Sequence, residues 1–371
     1  MDKILLALCV IASLFSVYLL YTINLNGINP GKVSPRTWKI QLITMAAGIA
    51  FALVIASINY RLLSRLWFVY SGLALLTSLL LFTPLGVRTE GATDLNWLDL
   101  GFIQIQPSEF LKVAFIMTFA THLCKAGDKM NHPRHFALLC LHGMVPVGLV
   151  IIQDDTGTAL IILMMFLTMM FAAGLSWKYI LAGLVGFPVL GVVFWNFYAQ
   201  PHHKMRILVL IDKELQQKEA VGLYDQQRRS LMALGSGGLT GQGLSGGNYV
   251  YIFAIHNDFI FAYIGMTLGF VGCAVTLALL LLICVKIIAA AGAAKDLMGK
   301  LICVGAFSMI FFHSVINVGM VIAVTPVVGV PLPFISAGGS STLALYCAVG
   351  LVLSVWAHKE KKYHMFYTET D

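Results

Sequence analysis

The segment Tyr251-Ile252-Phe253-Ala254-Ile255-His256-Asn257-Asp258-Phe259-Ile260-Phe261-Ala262 is where a long polar interval, Ala199–Asp258, turns back into hydrocarbon. The interval lies between two long apolar runs. A carboxylate at that depth is costly unless something polar or catalytic faces it. Asp258 is therefore read as the centre of the chemistry.

Working outward, the 371 residues are 59% hydrophobic and only 11% charged. That is far too little polar surface for a water-soluble globule. The chain reads as an all-α integral membrane protein. Runs long enough to cross about 30 Å of hydrocarbon as helices fall at Ile4–Tyr21, Ile40–Ile58, Leu62–Phe82, Phe110–Cys124, Phe136–Ile152, Ala159–Gly174, Tyr179–Tyr198, Phe259–Ala289, Leu301–Val324 and Ser341–Ala357. This gives about ten spans in one polytopic domain, residues 1–371. Residues 199–258 form a large extracytoplasmic loop between the seventh and eighth helices, residues 325–340 a re-entrant or outer loop, and residues 358–371 a cytoplasmic tail.

The positive-inside rule orients the bundle. With the N-terminus cytoplasmic, Lys3, Arg61, Arg65, Lys125, Lys129, Lys286, Lys361 and Lys362 collect inside, while the short outer loops keep few cations, Lys32 and Arg88 among them. Both termini are expected inside and Asp258 outside, and the first span reads as a retained signal-anchor. The formal charge of +7 is read as a topology signal that also meets anionic headgroups, not as a nucleic-acid surface. The seven cysteines lie in or at the ends of spans without C-x-x-C spacing, which argues against disulfides and thiolate metal sites.

Three further stretches carry chemistry. In Gln106-Pro107-Ser108-Glu109-Phe110-Leu111-Lys112, Ser108 can N-cap the following helix and Glu109 suits a helix N-terminus. Lys112, at i+3 from Glu109, shares its helix face, and a buried pair there is a functional hypothesis by default. In Gln153-Asp154-Asp155-Thr156-Gly157-Thr158 a plain helix cap competes with a divalent-cation site made by Asp154 and Asp155, magnesium or manganese being the ions such oxygens suit. In Thr325–Ser341 three prolines and three glycines cannot stay helical at membrane depth unless buried in protein or lining a cavity.

Within the long loop, Met205, Leu208, Ile211 and Leu215 recur at helical spacing opposite Lys204, Asp212, Lys213 and Glu214, the pattern of an interfacial helix. Arg228 and Arg229 follow, then the glycine-rich run Gly235–Gly247. Its G-x-G-x-x-G letters lack a preceding strand, so it is no dinucleotide fingerprint. The glycines instead suit close approach to an anionic headgroup through free N–H groups. His313, inside the ninth span, reads as a hydrogen-bonding link between helices.

Taken in order, Trp97-Leu98-x-Leu100-Gly101, Gln106-Pro107-Ser108-Glu109-Phe110-x-Lys112, Gln153-x-Asp155-x-Gly157-Thr158, Gly235-Ser236-Gly237-Gly238, His256-x-Asp258-Phe259 and Pro331-Leu332-Pro333-Phe334-Ile335-Ser336 with Gly338-Gly339-Ser340-Ser341 resemble the SEDS family. These are the shape, elongation, division and sporulation proteins, RodA, FtsW and SpoVE among them, and the length and short tails are most similar to RodA. The sequence departs from the family pattern at Asn96, usually Arg, at Phe253-Ala254, usually Pro-Glu, at Met266-Thr267, usually Glu-Glu, and at Ala337, usually Tyr.

The resemblance implies a ten-span bundle in the bacterial cytoplasmic membrane that polymerises lipid II on its outer face, beside a class B penicillin-binding protein. It makes Asp258 the essential loop aspartate. Its motifs also place Trp97, Gln106, Ser108, Glu109, Lys112, Asp155, Gly238, His256, Ser336 and Ser340 in the substrate site; since a leaving diphosphate needs positive charge, Arg88, Arg228 and Arg229 are read beside them as further cations. Asp258 would act as general base, Lys112 would hold diphosphate and Glu109 would orient it. The alternatives are a non-catalytic scaffold for the penicillin-binding protein and a lipid II flippase.

Overall fold

The structure, a computed structural model, describes residues 2–28, 36–88, 94–101, 104–197, 199–212, 214–215 and 223–359. Lys32, Lys213, Lys361, Lys362 and most of the expected tail, 360–371, lie outside the described residues. The fold is mostly helical. In order come α1 (Lys3–Leu25), α2 (Thr37–Ser57), α3 (Tyr60–Arg65), α4 (Trp67–Leu80), α5 (Pro107–Ala126), α6 (Pro133–Ile152), α7 (Thr156–Ala172), α8 (Trp177–Phe197), α9 (Pro201–Ile211), α10 (Leu223–Gly237), α11 (Ile260–Gly292), α12 (Leu297–Val321) and α13 (Gly339–Ala357).

Among the described residues eight helices are long and apolar enough to cross a membrane, namely α1, α2, α5, α6, α8, α11, α12 and α13. Helices α4 and α7 are shorter apolar helices. The third expected span, Leu62–Phe82, is divided at Leu66 into α3 and α4. Polar anchoring at the start of α3 explains the division: Asn59 caps it, and Arg61 Nε and Tyr60 OH donate to Asp296 at 2.7 and 2.9 Å. The apolar run proper then begins at Trp67.

Helices α12 and α13 form the buried heart of the bundle, whereas none of the described side chains of α8 is buried. Small residues let backbones meet, as they must where association relies on close packing rather than on expelling water. A Cβ on Gly350 of α13 would stand 2.9 Å from Ala52 Cα of α2. Alanine there would force the two helices apart.

On the expected outer side the chain adds a small antiparallel sheet that the sequence reading did not anticipate. It consists of β1 (Gly86–Val87), β2 (Trp97–Asp99) and β3 (Gln104–Ile105), in that order, with Val87 opposite Trp97 and Leu98 opposite Ile105. Leu98 is buried beneath it. The sheet is tied to the turn after α6 by the Leu95 N–H, which donates to the Gln153 carbonyl at 2.9 Å.

Residues 325–338 are not helical and run buried across the bundle, with Val330, Leu332, Phe334 and Ile335 enclosed. The glycine-rich run after α10 also docks onto the bundle, against a break in α11 where Gly269 takes φ 65° and ψ −163°. A Cβ on Gly241 would lie 2.2 Å from the Thr267 carbonyl oxygen, and one on Gly269 would lie 2.4 Å from the Gly241 nitrogen. These glycines serve backbone-to-backbone contact.

Candidate active site

Four segments converge: the start of α5, the turn 153–155, the turn 254–259 and the buried loop 325–341. Pro107 suits the first helical position of α5, where no N–H is needed, and this sets the cap at Gln106. The Gln106 N–H donates to Ser340 Oγ at 3.1 Å, and its side-chain Nε2 donates to Asp155 Oδ2 at 3.3 Å. The expected Ser108 cap is corrected here. With Pro107 opening the helix, Ser108 falls inside the first turn, where its Oγ is buried without a hydrogen bond.

Glu109 and Lys112 form the pair their spacing predicts, Nζ to Oε1 at 2.9 Å. His313 Nε2 stands 2.8 Å from the same Nζ. Both members of the pair are sealed off, Lys112 being 0% and Glu109 1% exposed. A substrate oxygen therefore cannot touch Lys112 Nζ without side-chain movement, and the expected direct hold on diphosphate does not fit this arrangement.

Asp155 caps α7, accepting the Thr158 N–H at 2.9 Å through Oδ1 while Oδ2 takes Gln106. Asp154, in the left-handed region at φ 67°, instead pairs with His203 of α9 at 3.0 Å. The two neighbouring acids thus serve different partners. Among the described residues no group of three or more His, Cys, Asp or Glu is placed to hold a metal ion.

Asp258 is presented by a tight turn in which the Asn257 and Phe259 N–H groups both donate to the carbonyl of Ala254, itself at φ 55°. Its own carbonyl accepts Asn317 Nδ2 at 2.7 Å. The side chain is half-buried, yet Oδ1 is closed off and makes no hydrogen bond. Burial, reinforced by the nearby carboxylates of Asp94 and Asp155, pushes its pKa up to about 7. Burial also raises the Asp94 and Asp155 carboxyls, with Lys112 and the Thr158 hydrogen bonds opposing the rise at Asp155. Burial depresses the His256 imidazole and favours its neutral form. A carboxyl balanced between its two forms near neutrality is suited to general base work.

The loop wraps this turn. Ser336 Oγ donates to the Asn257 carbonyl at 2.6 Å and accepts the Leu332 N–H at 2.8 Å, while the Ala337 N–H reaches the His256 carbonyl at 3.0 Å. Trp97 sits half-buried in β2, and Arg88 follows β1 exposed. Arg228 and Arg229 both pair with Asp225, at 3.2 and 2.6 Å, and remain partly exposed. Gly238 is exposed at φ 51°.

The expected free N–H groups are corrected for residues 238 and 241–243 of the glycine run. Gln242 and Gly243 donate to the Met266 and Thr267 carbonyls, both at 3.0 Å, and Gly241 and Gly238 donate to Gly237 and Gly235. The close backbone packing consumes these donors. Sequence reasoning also missed Asp94, which accepts from Asn96 Nδ2, and the buried amides Gln41 and Asn317. Gln41 Oε1 accepts the Gly338 N–H at 3.2 Å, and its Nε2 donates to Thr342 at 3.1 Å. An uncharged amide inside an apolar span was the available signal.

Residues 1–361 match the family of FtsW, RodA and SpoVE, described as "Cell cycle protein". Over 323 residues the chain is 31% identical to the "Peptidoglycan glycosyltransferase MrdB" of Escherichia coli K12, covering 85% of this chain and 84% of that one. It is 33% identical over 326 residues to the "Probable peptidoglycan glycosyltransferase FtsW" of Trichlorobacter lovleyi, covering 86% and 83%. A chain from "Structural coordination of polymerization and crosslinking by a peptidoglycan synthase complex" superimposes with TM-score 0.81 at 26% identity, covering 97% of this chain and 99% of that one. The Thermus thermophilus rod shape determining protein RodA superimposes with TM-score 0.70 at 26% identity, covering 97% and 98%.

Proposed function

The chain belongs to the FtsW, RodA and SpoVE family, and from that premise we propose that it is a peptidoglycan glycosyltransferase whose general base is Asp258. The observation that carries the assignment is a carboxyl that is only half-buried, has no protein partner for its Oδ1 and is poised near pH 7. Asp258 accepts the proton of the acceptor sugar's 4-hydroxyl. That oxygen attacks C1 of the donor N-acetylmuramic acid with inversion, and the bond to the lipid diphosphate breaks with its electron pair on the leaving oxygen.

The substrate is lipid II, taken at the outer face of the bacterial cytoplasmic membrane. The departing diphosphate needs positive charge. The exposed guanidinium groups of Arg88, Arg228 and Arg229 are the cations on offer. Lys112, enclosed with Glu109, acts through its field on Asp155. A divalent cation, magnesium or manganese, would enter with the diphosphate, since magnesium is commonly held by one or two carboxylates together with substrate phosphates. Asp155 would share it by giving up the Gln106 or the Thr158 bond, since its two oxygens take both. The partner is a class B penicillin-binding protein that crosslinks the strands, a reading supported by the match to a chain of a peptidoglycan synthase complex.

The test is polymerisation of purified lipid II in detergent, with and without the partner and divalent metal, for wild type and Asp258→Ala. Glycan strands from wild type, reduced at least about 10²-fold in the variant, are expected. No strands under any condition, with the partner still bound, would convert the assignment to a scaffold.

A further inference from the structure

His313 and Asn317 stand one helical turn apart on α12, and both face the buried loop. At the first turn, His313 lies between Lys112 Nζ, 2.8 Å from its Nε2, and the Pro331 carbonyl, 3.3 Å from its Nδ1. An ammonium has only donors. The Nε2 that faces it must present a lone pair, so Nδ1 carries the hydrogen and donates it to Pro331. At the second turn, Asn317 Nδ2 donates to the carbonyls of Val330 and Asp258, each at 2.7 Å. Both residues are buried, His313 at 3% and Asn317 at 0% exposure.

The two side chains therefore grip consecutive loop residues, Val330 and Pro331. Each also holds a second element: the Glu109–Lys112 pair for His313, and the backbone of Asp258 for Asn317. Helix glue alone would need only one of these contacts. We propose that His313 and Asn317 are positioning residues, a two-turn brace that couples the Glu109–Lys112 pair to the place of the Asp258 carboxylate through the Val330–Pro331 segment. Neither residue touches the reacting atoms. Their part in turnover rests on the glycosyltransferase reading; the mechanical coupling does not.

Displacing a catalytic group by about 1 Å can cost on the order of 10²-fold in rate. In the lipid II assay, with the full chain and its partner, folded His313→Leu is expected to lower kcat about 10- to 100-fold while KM stays within about threefold. His313→Gln, which keeps an acceptor and a donor, restores most of the loss. Combining His313→Leu with Glu109→Gln is expected to add little beyond the larger single effect, as for neighbours in one network. Wild-type kcat in folded His313→Leu would overturn the positioning role.

A second measurement separates this proposal from the enzyme reading. In Asn317→Leu, amide hydrogen exchange is expected to rise at residues 330–336 and 256–260 together, with α6 and α7 unchanged. If wild type makes no strands, the glycosyltransferase reading fails and exchange still decides the coupling. Unaltered exchange at 256–260 would overturn it whatever the activity.

Discussion

Ser336 Oγ donates to the carbonyl of Asn257 at 2.6 Å, one residue before Asp258, so the loop ahead of α13 holds the turn that carries Asp258 by a part-buried side-chain bond. The same hydroxyl accepts the Leu332 N–H at 2.8 Å. Ser336→Ala leaves the Leu332 N–H without a partner and the Asn257 carbonyl with only the long Ile260 N–H contact at 3.5 Å. The expected loss is about 1–3 kcal/mol, read as a lowered thermal midpoint in detergent, together with reduced lipid II turnover. An unchanged midpoint would mean the bond is replaced on unfolding the loop locally.

The pH dependence follows from Asp258. A base must be ionised, and burial with two neighbouring acids pushes this carboxyl up to about 7. Turnover is expected to rise through about pH 7 and level off above it. Stability runs the other way. An acid raised in the folded state above its unfolded value of about 3.9 contributes fully below pH 4 and loses that contribution as pH rises to about 7. Asp258→Asn should remove this slope and raise the thermal midpoint at pH 8, while polymerisation is lost.

Glu109 and Lys112 are closed off together, and removing one partner strands the other. Glu109→Gln or Lys112→Met alone is expected to destabilise by roughly 3–5 kcal/mol. The double variant, which buries no charge, should recover most of that loss. A double-mutant cycle on thermal midpoints checks it, and additive losses would contradict the pairing.

The glycine run separates packing from conformation. Gly241 has φ 84° and a Cβ there meets the Thr267 carbonyl at 2.2 Å, whereas Gly238 has φ 51° with nothing within 4 Å of the added atom. Gly241→Ala is expected to prevent the run from docking on α11, which limited proteolysis between Gly235 and Gly247 detects. Gly238→Ala should cost only the left-handed penalty of about 1–2 kcal/mol and leave cleavage unchanged.

What was legible in the sequence was what hydrocarbon makes expensive. Asp258, Glu109, Lys112 and the prolines of 325–341 stand out because charge or broken helix at membrane depth needs a reason. The residues around Asp155 suit a cap and a cation site alike, and the structure gives it the cap and a bond from Gln106. Asp94 looked like any loop acid, since its influence on Asp258 depends on a fold that brings the outer sheet beside a turn far along the chain. Asn317 carries no charge and its partners are carbonyls of a distant loop. Ser108 is not the cap because α5 starts at Pro107, two residues earlier than a Ser108 cap would require, which moves Ser108 into the helix. The glycine run was misread because its partners, the Met266 and Thr267 carbonyls, belong to another element.

The break in α11 has a mechanical consequence. The Phe270 and Val271 N–H groups that Gly269 frees from the helix donate to Gly238 and Leu239 at 2.9 and 3.1 Å, so the interruption leaves neither of these donors unpaired. Below the break the helix is fastened to the chain's beginning by Lys286 and Asp2 at 2.9 Å; above it, residues 260–268 continue from the turn that carries Asp258. The two halves of the helix are therefore joined through the glycine run as well as along the chain, and the turn that carries Asp258 has its own lateral ties to α12 and to the loop before α13.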